Sequence, residues 1–257
     1  MFEIGIEQLY QWIGQYAWPF CRIAAFFMAM PILSTQLVPA RIRLGLAAGV
    51  TLVVAPMIDP VPMIELLSIE SFLIILQQIL IGVAMGFVLQ LMFQVFVIGG
   101  QIVAMQNGLG FALMVDPVNG VSVAAISQLY LMTVNLLFFA LNGHLAVMYL
   151  IGTSFEQLPV GQLGLPVDNY LEIARLGSWM FTGAVLVALP SIIALLVVNV
   201  SFGVISRVAP QMNIIAVGFP FTMVMGLIII WLTLSNILPQ YEHLSADAFD
   251  FLRQMVQ

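Results

Sequence analysis

Two apolar runs, Ile69 to Ile98 and Val123 to Ile151, stand on either side of the stretch GGQIVAMQNGLGFALMVDPVNGVS, from Gly99 to Ser122. As helices, each run would extend about 45 Å at 1.5 Å per residue, against a bilayer hydrocarbon core of about 30 Å. They must tilt, break or project beyond a bilayer inside a larger assembly. The stretch between them holds five of the chain's 20 glycines, together with Asp116-Pro117 and Asn119-Gly120. Glycine frees φ, Asp before Pro is pushed extended and Asn-Gly forms turns, so the stretch predicts irregular backbone rather than a continuous helix. Yet Val103, Met105, Leu109, Phe111, Leu113, Met114 and Val115 make it too apolar for a hydrated loop. Unpaired amides in hydrocarbon cost several kcal/mol each. Such a segment has to be buried in protein or line a cavity, and a channel is the expected setting.

The rest of the composition agrees with a membrane setting. Of 257 residues, 62% are hydrophobic and 7% charged, with six arginines and no lysine. This is the composition of an integral membrane protein. A formal charge of −6 leaves no basic surface for nucleic acid, so no nucleic-acid partner is expected. The one cysteine, Cys21, excludes an internal disulfide and reads as a small packing residue. Glu3 and Glu7 stand where a secretory signal would carry basic residues, and no cleaved signal is expected.

Six apolar segments can be drawn, at 12–33, 42–58, 69–98, 123–151, 179–202 and 214–238. The first contains Arg22 between Pro19 and Pro31. A central arginine costs about 2.5–3.5 kcal/mol on insertion scales, so Arg22 should face an acid, a carbonyl or water. It either serves structure in this way or takes a direct functional part. Gly45/Gly49 and Gly82/Gly86 are spaced four apart on apolar helices, which permits close helix packing. Gln77, Gln78, Gln90, Gln94 and Gln101 want hydrogen-bond partners and so a protein or water neighbour. Gly152 to Gly177 reads as a polar loop with room for a short helix from Asn169. Pro190 and Pro220 predict kinks in segments five and six. The tail after Leu238 spaces Leu244, Ala248, Phe251, Leu252 and Met255 as a short amphipathic helix. Arg41, Arg43 and Arg207 place their loops in the cytoplasm, with the acidic stretches 59–71 and 152–178 outside.

Enzyme chemistry lacks its parts. His144 and His243 are far apart in sequence, and no metalloprotease, Cys/His or serine-hydrolase motif is present. His144 is expected to be packed or hydrogen-bonded rather than a proton relay. Gly108-x-Gly110 is half of a dinucleotide fingerprint without a preceding strand, so no cofactor or metal is expected. A transporter with broken helices and a channel subunit with a hydrophobic gate both remain open on physical grounds. The transporter should carry an intramembrane ionisable cluster and matched half-chains, and neither is evident.

Three stretches carry more specific information: GGQIVAMQNGLGFALMVDP (99–117), NGHLAVMYLIGTSFEQLPVG (142–161) and ALPSIIALLVVNVSFGVISRVAPQMNIIAVGFP (188–220). Together they resemble the FliR/SctT family of bacterial type III export-gate proteins, in its flagellar branch. The last stretch is the most specific, with Pro190, Gly203, Arg207, Pro210, Gln211, Asn213, Gly218 and Pro220 where the family pattern has them. The resemblance covers essentially the whole chain. In relatives Met often stands at Asn107, Ser at Gly110 and Phe at Ile215.

The resemblance implies a non-enzymatic core subunit of the flagellar export gate, passing unfolded flagellar proteins across the bacterial inner membrane. It implies assembly with FliP and FliQ, then with FlhB and FlhA, beside membrane lipid. The expected fold is an all-α membrane protein of about six long, apolar, partly broken helices. Residues 1–257 form one membrane domain, with a FliP-like part over about 1–178 and a FliQ-like hairpin and tail over about 179–257. An irregular glycine-rich plug at 106–122 lies between helices three and four. Gln106, Gly108, Gly110, Phe111, Leu113, Met114, Val115, Asp116 and Pro117 are the implied plug and gate residues. Arg207, Pro210, Gln211 and Asn213 fall in the hairpin loop at the cytoplasmic entrance. An injectisome gate, a small-solute transporter and a purely structural scaffold are the competing readings.

Overall fold

The computed structural model describes residues 6–35, 38–65, 68–109, 113–115, 122–161, 164–208 and 214–256. Among them are eight α-helices: α1 (Ile6–Ala29), α2 (Ala40–Val54), α3 (Ile69–Gln106), α4 (Ala125–Ala140), α5 (Gly143–Gln157), α6 (Val167–Val208), α7 (Ile214–Thr233) and α8 (Ile237–Val256). Two three-residue strands, β1 (Leu113–Val115) and β2 (Ser122–Ala124), lie between α3 and α4, and single 3-10 turns follow α2 (Ala55–Met57) and α7 (Leu234–Asn236). Four helical runs are long and apolar enough to cross a membrane, at Ala40–Met57, Ile69–Gln106, Asp168–Ile205 and Pro220–Val256, and the broken pair α4 and α5 makes a fifth. The helical membrane architecture expected from the sequence is present.

Three features differ from the sequence reading, and the break it allowed in the second long run is present. The interruption does not begin at Gly99, because α3 runs through Gly99 and Gly100 as one helix of 38 residues, about 57 Å long. Those two glycines are packing positions. A Cβ on Gly100 would lie 2.6 Å from the Ser127 Cα of α4, and one on Gly99 would lie 3.2 Å from the Ala184 carbonyl of α6. The second long run does break, at Leu141 and Asn142, where Asn142 takes φ 58 and starts α5 anew. The polar stretch 152–177 is mostly helix, since α5 reaches Gln157 and α6 starts at Val167. Its charged residues Glu156, Asp168, Glu172 and Arg175 are exposed, so they suit a helix surface as well as a loop. Between α3 and α4 the glycine-rich stretch contains an antiparallel ribbon rather than wholly irregular backbone.

The chain divides into two compact units, 1–91 with 141–176 and 247–257, and 92–140 with 177–246. In the first, α1 and α2 pack together. Gln15 of α1 fastens the turn after α2: its Nε2 donates to the carbonyls of Ala55 (2.8 Å) and Ile58 (3.3 Å), and its Oε1 accepts from Val61 N–H (3.1 Å). Gly82 and Gly86 bring α3 against the backbone of α1, as their spacing predicts. A Cβ on Gly82 would collide with the Arg22 carbonyl, and one on Gly86 would meet the Ala29 Cβ at 2.5 Å. Gly45 and Gly49 of α2 have nothing within 4 Å of an added Cβ among the described residues, so their spacing is not used for packing there. Trp18, Ile23, Phe26 and Phe27 are buried in this unit, and Asn169 Nδ2 donates to the Met255 carbonyl (2.9 Å).

In the second unit, aromatic pairs join the helices. Phe93 of α3 meets Phe138 of α4 at 5.8 Å between ring centroids, and Phe96 meets Tyr241 of α8 at 6.3 Å. Phe202 of α6 meets Phe221 of α7 at 5.2 Å, and the hydroxyls of Ser191 and Thr233 lie 3.2 Å apart. Ascending positions on α6 thus meet descending positions on α7, which makes the two an antiparallel hairpin. Pro190 and Pro220 both lie within continuous helices. The amphipathic tail is longer than expected: α8 has 20 residues, with Leu244, Ala248, Leu252 and Met255 buried.

Candidate functional site

The chain leaves α3 in a short, hydrogen-bonded turn. Asn107 N–H donates to the Val103 carbonyl at 3.1 Å, and Gly108 N–H donates to the Met105 carbonyl at 3.2 Å. Gly108 then takes φ 71, in the left-handed region that glycine enters without a Cβ penalty. A helix of 38 residues therefore stops within one turn. Gln106 and Met105 are exposed at this point, whereas the Asn107 side chain is 1% exposed. The Asn107 amide lies on Gly226 of α7, and an added Cβ there would collide with it. Among the described residues, neither its oxygen nor its nitrogen has a hydrogen-bond partner.

Beyond the turn, β1 and β2 pair with Leu113 opposite Ala124, Met114 opposite Val123 and Val115 opposite Ser122. Pairing answers the energetic difficulty of this stretch, because each ladder bond satisfies amides that an apolar setting would leave unpaired. The ribbon contacts α4, into which β2 leads directly. Of the residues expected at a plug, Gln106 and Gly108 form the helix exit and Leu113, Met114 and Val115 form β1. Gly110, Phe111, Asp116 and Pro117 lie outside the described residues.

Arg207 is exposed in the last turn of α6, where a cation is favoured by the carbonyl end of the helix. Pro210, Gln211 and Asn213 lie outside the described residues. Arg22 lies in the other unit, with every partner named below inside that unit, and it is 1% exposed. Its Nε donates to Gln78 Oε1 at 2.7 Å, Nη1 to the Ser154 carbonyl at 2.7 Å and Oγ at 3.2 Å, and Nη2 to the Leu158 carbonyl at 2.7 Å. The guanidinium carbon sits 4.1 Å from the Phe155 ring centroid. Of the three environments that the sequence allows, Arg22 takes carbonyls. It caps the C-terminal end of α5, where unpaired carbonyls and the helix dipole both favour a cation.

Sequence reasoning marked Gln78 as an amide in need of a partner but not Ser154, which supplies its carbonyl and its hydroxyl, or Leu158, which supplies a backbone oxygen and carries no side-chain signal. It also missed Asn107 and Gly226. Among the described residues no three His, Cys, Asp or Glu side chains are grouped to hold a metal ion.

Comparison with known proteins gives consistent results. Residues 13–248 match the family described as bacterial export proteins, family 1. The chain is 35% identical to the flagellar biosynthetic protein FliR of Escherichia coli (strain K12) over 256 residues, covering 100% of this chain and 98% of that protein. It is 34% identical to the FliR of Pectobacterium carotovorum subsp. carotovorum with the same coverage. Identity to the FliR of Aquifex aeolicus (strain VF5) is 29%, over 92% of this chain and 91% of that protein.

Proposed function

The chain belongs to the bacterial export proteins, family 1, and from that membership we infer that it is a membrane subunit of the flagellar type III protein export gate. In this reading it helps to form and seal the channel that passes unfolded flagellar proteins through the bacterial inner membrane. FliP and FliQ are its partners in the gate core, with FlhB and FlhA beside them. Residues of about 1–178 are the FliP-like part and those of about 179–257 the FliQ-like part.

The segment 106–122 is the seal. One observation carries this reading: a long apolar helix stops at the left-handed Gly108 and hands over to a ribbon of apolar sequence that pairs its own backbone. An export channel must admit polypeptides of any sequence and still hold ions when idle. Apolar residues such as Phe111, Leu113, Met114 and Val115 expel water from a narrow lumen. Methionine adapts to varied surfaces, and Gly108, Gly110 and Gly120 let the segment turn aside without moving whole helices. Asp116-Pro117 anchors one end through a turn or an arginine partner. Arg207 and the following Pro210, Gln211 and Asn213 form the cytoplasmic entrance.

Deleting 106–122 is expected to make cells that assemble the gate permeable to small ions while idle. Ion flux at the wild-type level, with the gate present in the membrane, refutes the seal.

A further inference from the structure

We propose that the Asn107 side chain is the seat of the seal: resting on Gly226 of α7, it sets the position from which the segment beyond Gly108 turns. The inference rests on the reading of 106–122 as that seal. Asn107 is the last residue bonded in helical fashion to α3, and Gly108 is the first outside the right-handed region. Whatever fixes Asn107 therefore fixes the origin of the segment. What fixes it is a close approach: its amide occupies the place where any side chain at 226 would begin. In an open setting an asparagine would rotate away from such a neighbour. Here the side chain is 1% exposed, so displacement has to move the backbone at the Gly108 joint.

The amide also makes the seat releasable. A buried carboxamide with neither atom hydrogen-bonded among the described residues disfavours the state that buries it, whereas an apolar side chain of the same shape would not. Asn107 thus combines a snug steric fit with a polar penalty. The fit positions the seal, and the penalty keeps the seated and displaced states close in free energy. Neither glycine spacing nor hydropathy marks these two residues, because each acts only through the other.

The test uses the assembled gate in cells, with idle ion flux and secretion of a flagellar substrate as readouts. Gly226→Ala is expected to raise idle flux by roughly 5- to 100-fold, the range that overpacking of a filled site produces. Adding Asn107→Ala empties the contested space and is expected to return flux to within about twofold of wild type. Asn107→Leu, close in shape but apolar, is expected to leave flux unchanged and to slow secretion several-fold. Wild-type flux in Gly226→Ala, no rescue by Asn107→Ala, or wild-type secretion in Asn107→Leu each overturns the proposal. Should Gly226→Ala fail to accumulate, recovery of its level by Asn107→Ala supports the coupling and no recovery overturns it. The deletion of 106–122 runs alongside. If the deletion leaks and Gly226→Ala does not, this inference alone falls; if neither leaks, the seal falls and takes the inference with it.

Discussion

Replacing Arg22 by methionine keeps an unbranched side chain of similar length and removes the guanidinium. Two acceptors then lose their donors, Gln78 Oε1 and the Leu158 carbonyl, while the Ser154 carbonyl keeps the Leu158 N–H at 3.1 Å. The Ser154 hydroxyl is less affected, because it donates to the Ile151 carbonyl at 2.7 Å. A buried acceptor left unpaired costs about 1–3 kcal/mol, so Gln78 Oε1 and the part-buried Leu158 carbonyl together set a loss near 2 kcal/mol. No longer dehydrating a cation returns part of this, and the looser packing against Phe155 adds to the loss. A net loss of about 2 kcal/mol is expected, roughly thirtyfold in the folded population. In a chain of this size that lowers the melting temperature by about 4–8 °C. Arg22→Lys should fall between, since a single ammonium cannot reproduce a planar fork reaching three oxygens. Arg253→Gln is the control, because its bridge to Asp250 at 3.2 Å is exposed and contributes little. The assay is heat-induced loss of the purified gate assembly in mild detergent. If Arg22→Met melts within a degree of wild type, or no lower than Arg253→Gln, the capping argument is refuted.

Two further outcomes follow from positions described above. Gly82→Ala forces a Cβ into the Arg22 carbonyl of α1, a backbone atom that cannot rotate aside, and should lower the amount of protein in membranes about tenfold. Gly45→Ala meets nothing within 4 Å and should accumulate normally in the same immunoblot; equal levels for the two would dismiss the α1–α3 contact as a determinant of the fold. Arg207→Ala is expected to shrink the swimming halo in soft agar at least several-fold, and a normal halo would leave Arg207 as a marker of orientation only.

Much of the helical layout is legible in the sequence, because apolar runs of the required length are hard to place elsewhere. The errors share a cause: one residue type serves more than one purpose. Gly99 and Gly100 read as a hinge, yet a glycine that bends backbone and one that admits a neighbouring backbone look the same in sequence. Glu156, Asp168 and Glu172 read as loop, yet charged residues also cover the exposed surface of a helix. Strands of three residues are too short to impose a period on the sequence, so the ribbon could not be told from irregular chain. At Arg22 the need for partners was legible from the cost of a buried cation. Their identity was not, because two are backbone oxygens. Asn107 stood out only as a departure from its relatives, since its burial is set by α7, more than a hundred residues further along.

The cap on α5 also constrains the order in which the protein is made. Arg22 and the Ser154 oxygens that it holds are 132 positions apart, so a ribosome adding about 5–20 residues per second delivers the second roughly 7–25 s after the first. For most of that delay the N-terminal helix carries a cation with only Gln78 of its final partners yet made. It cannot complete its mature packing when it first emerges. Burial of the opening helix is thereby tied to translation of the middle of the chain, and a nascent chain halted before residue 154 retains an arginine that still requires other oxygens, from water, lipid phosphate or a chaperone.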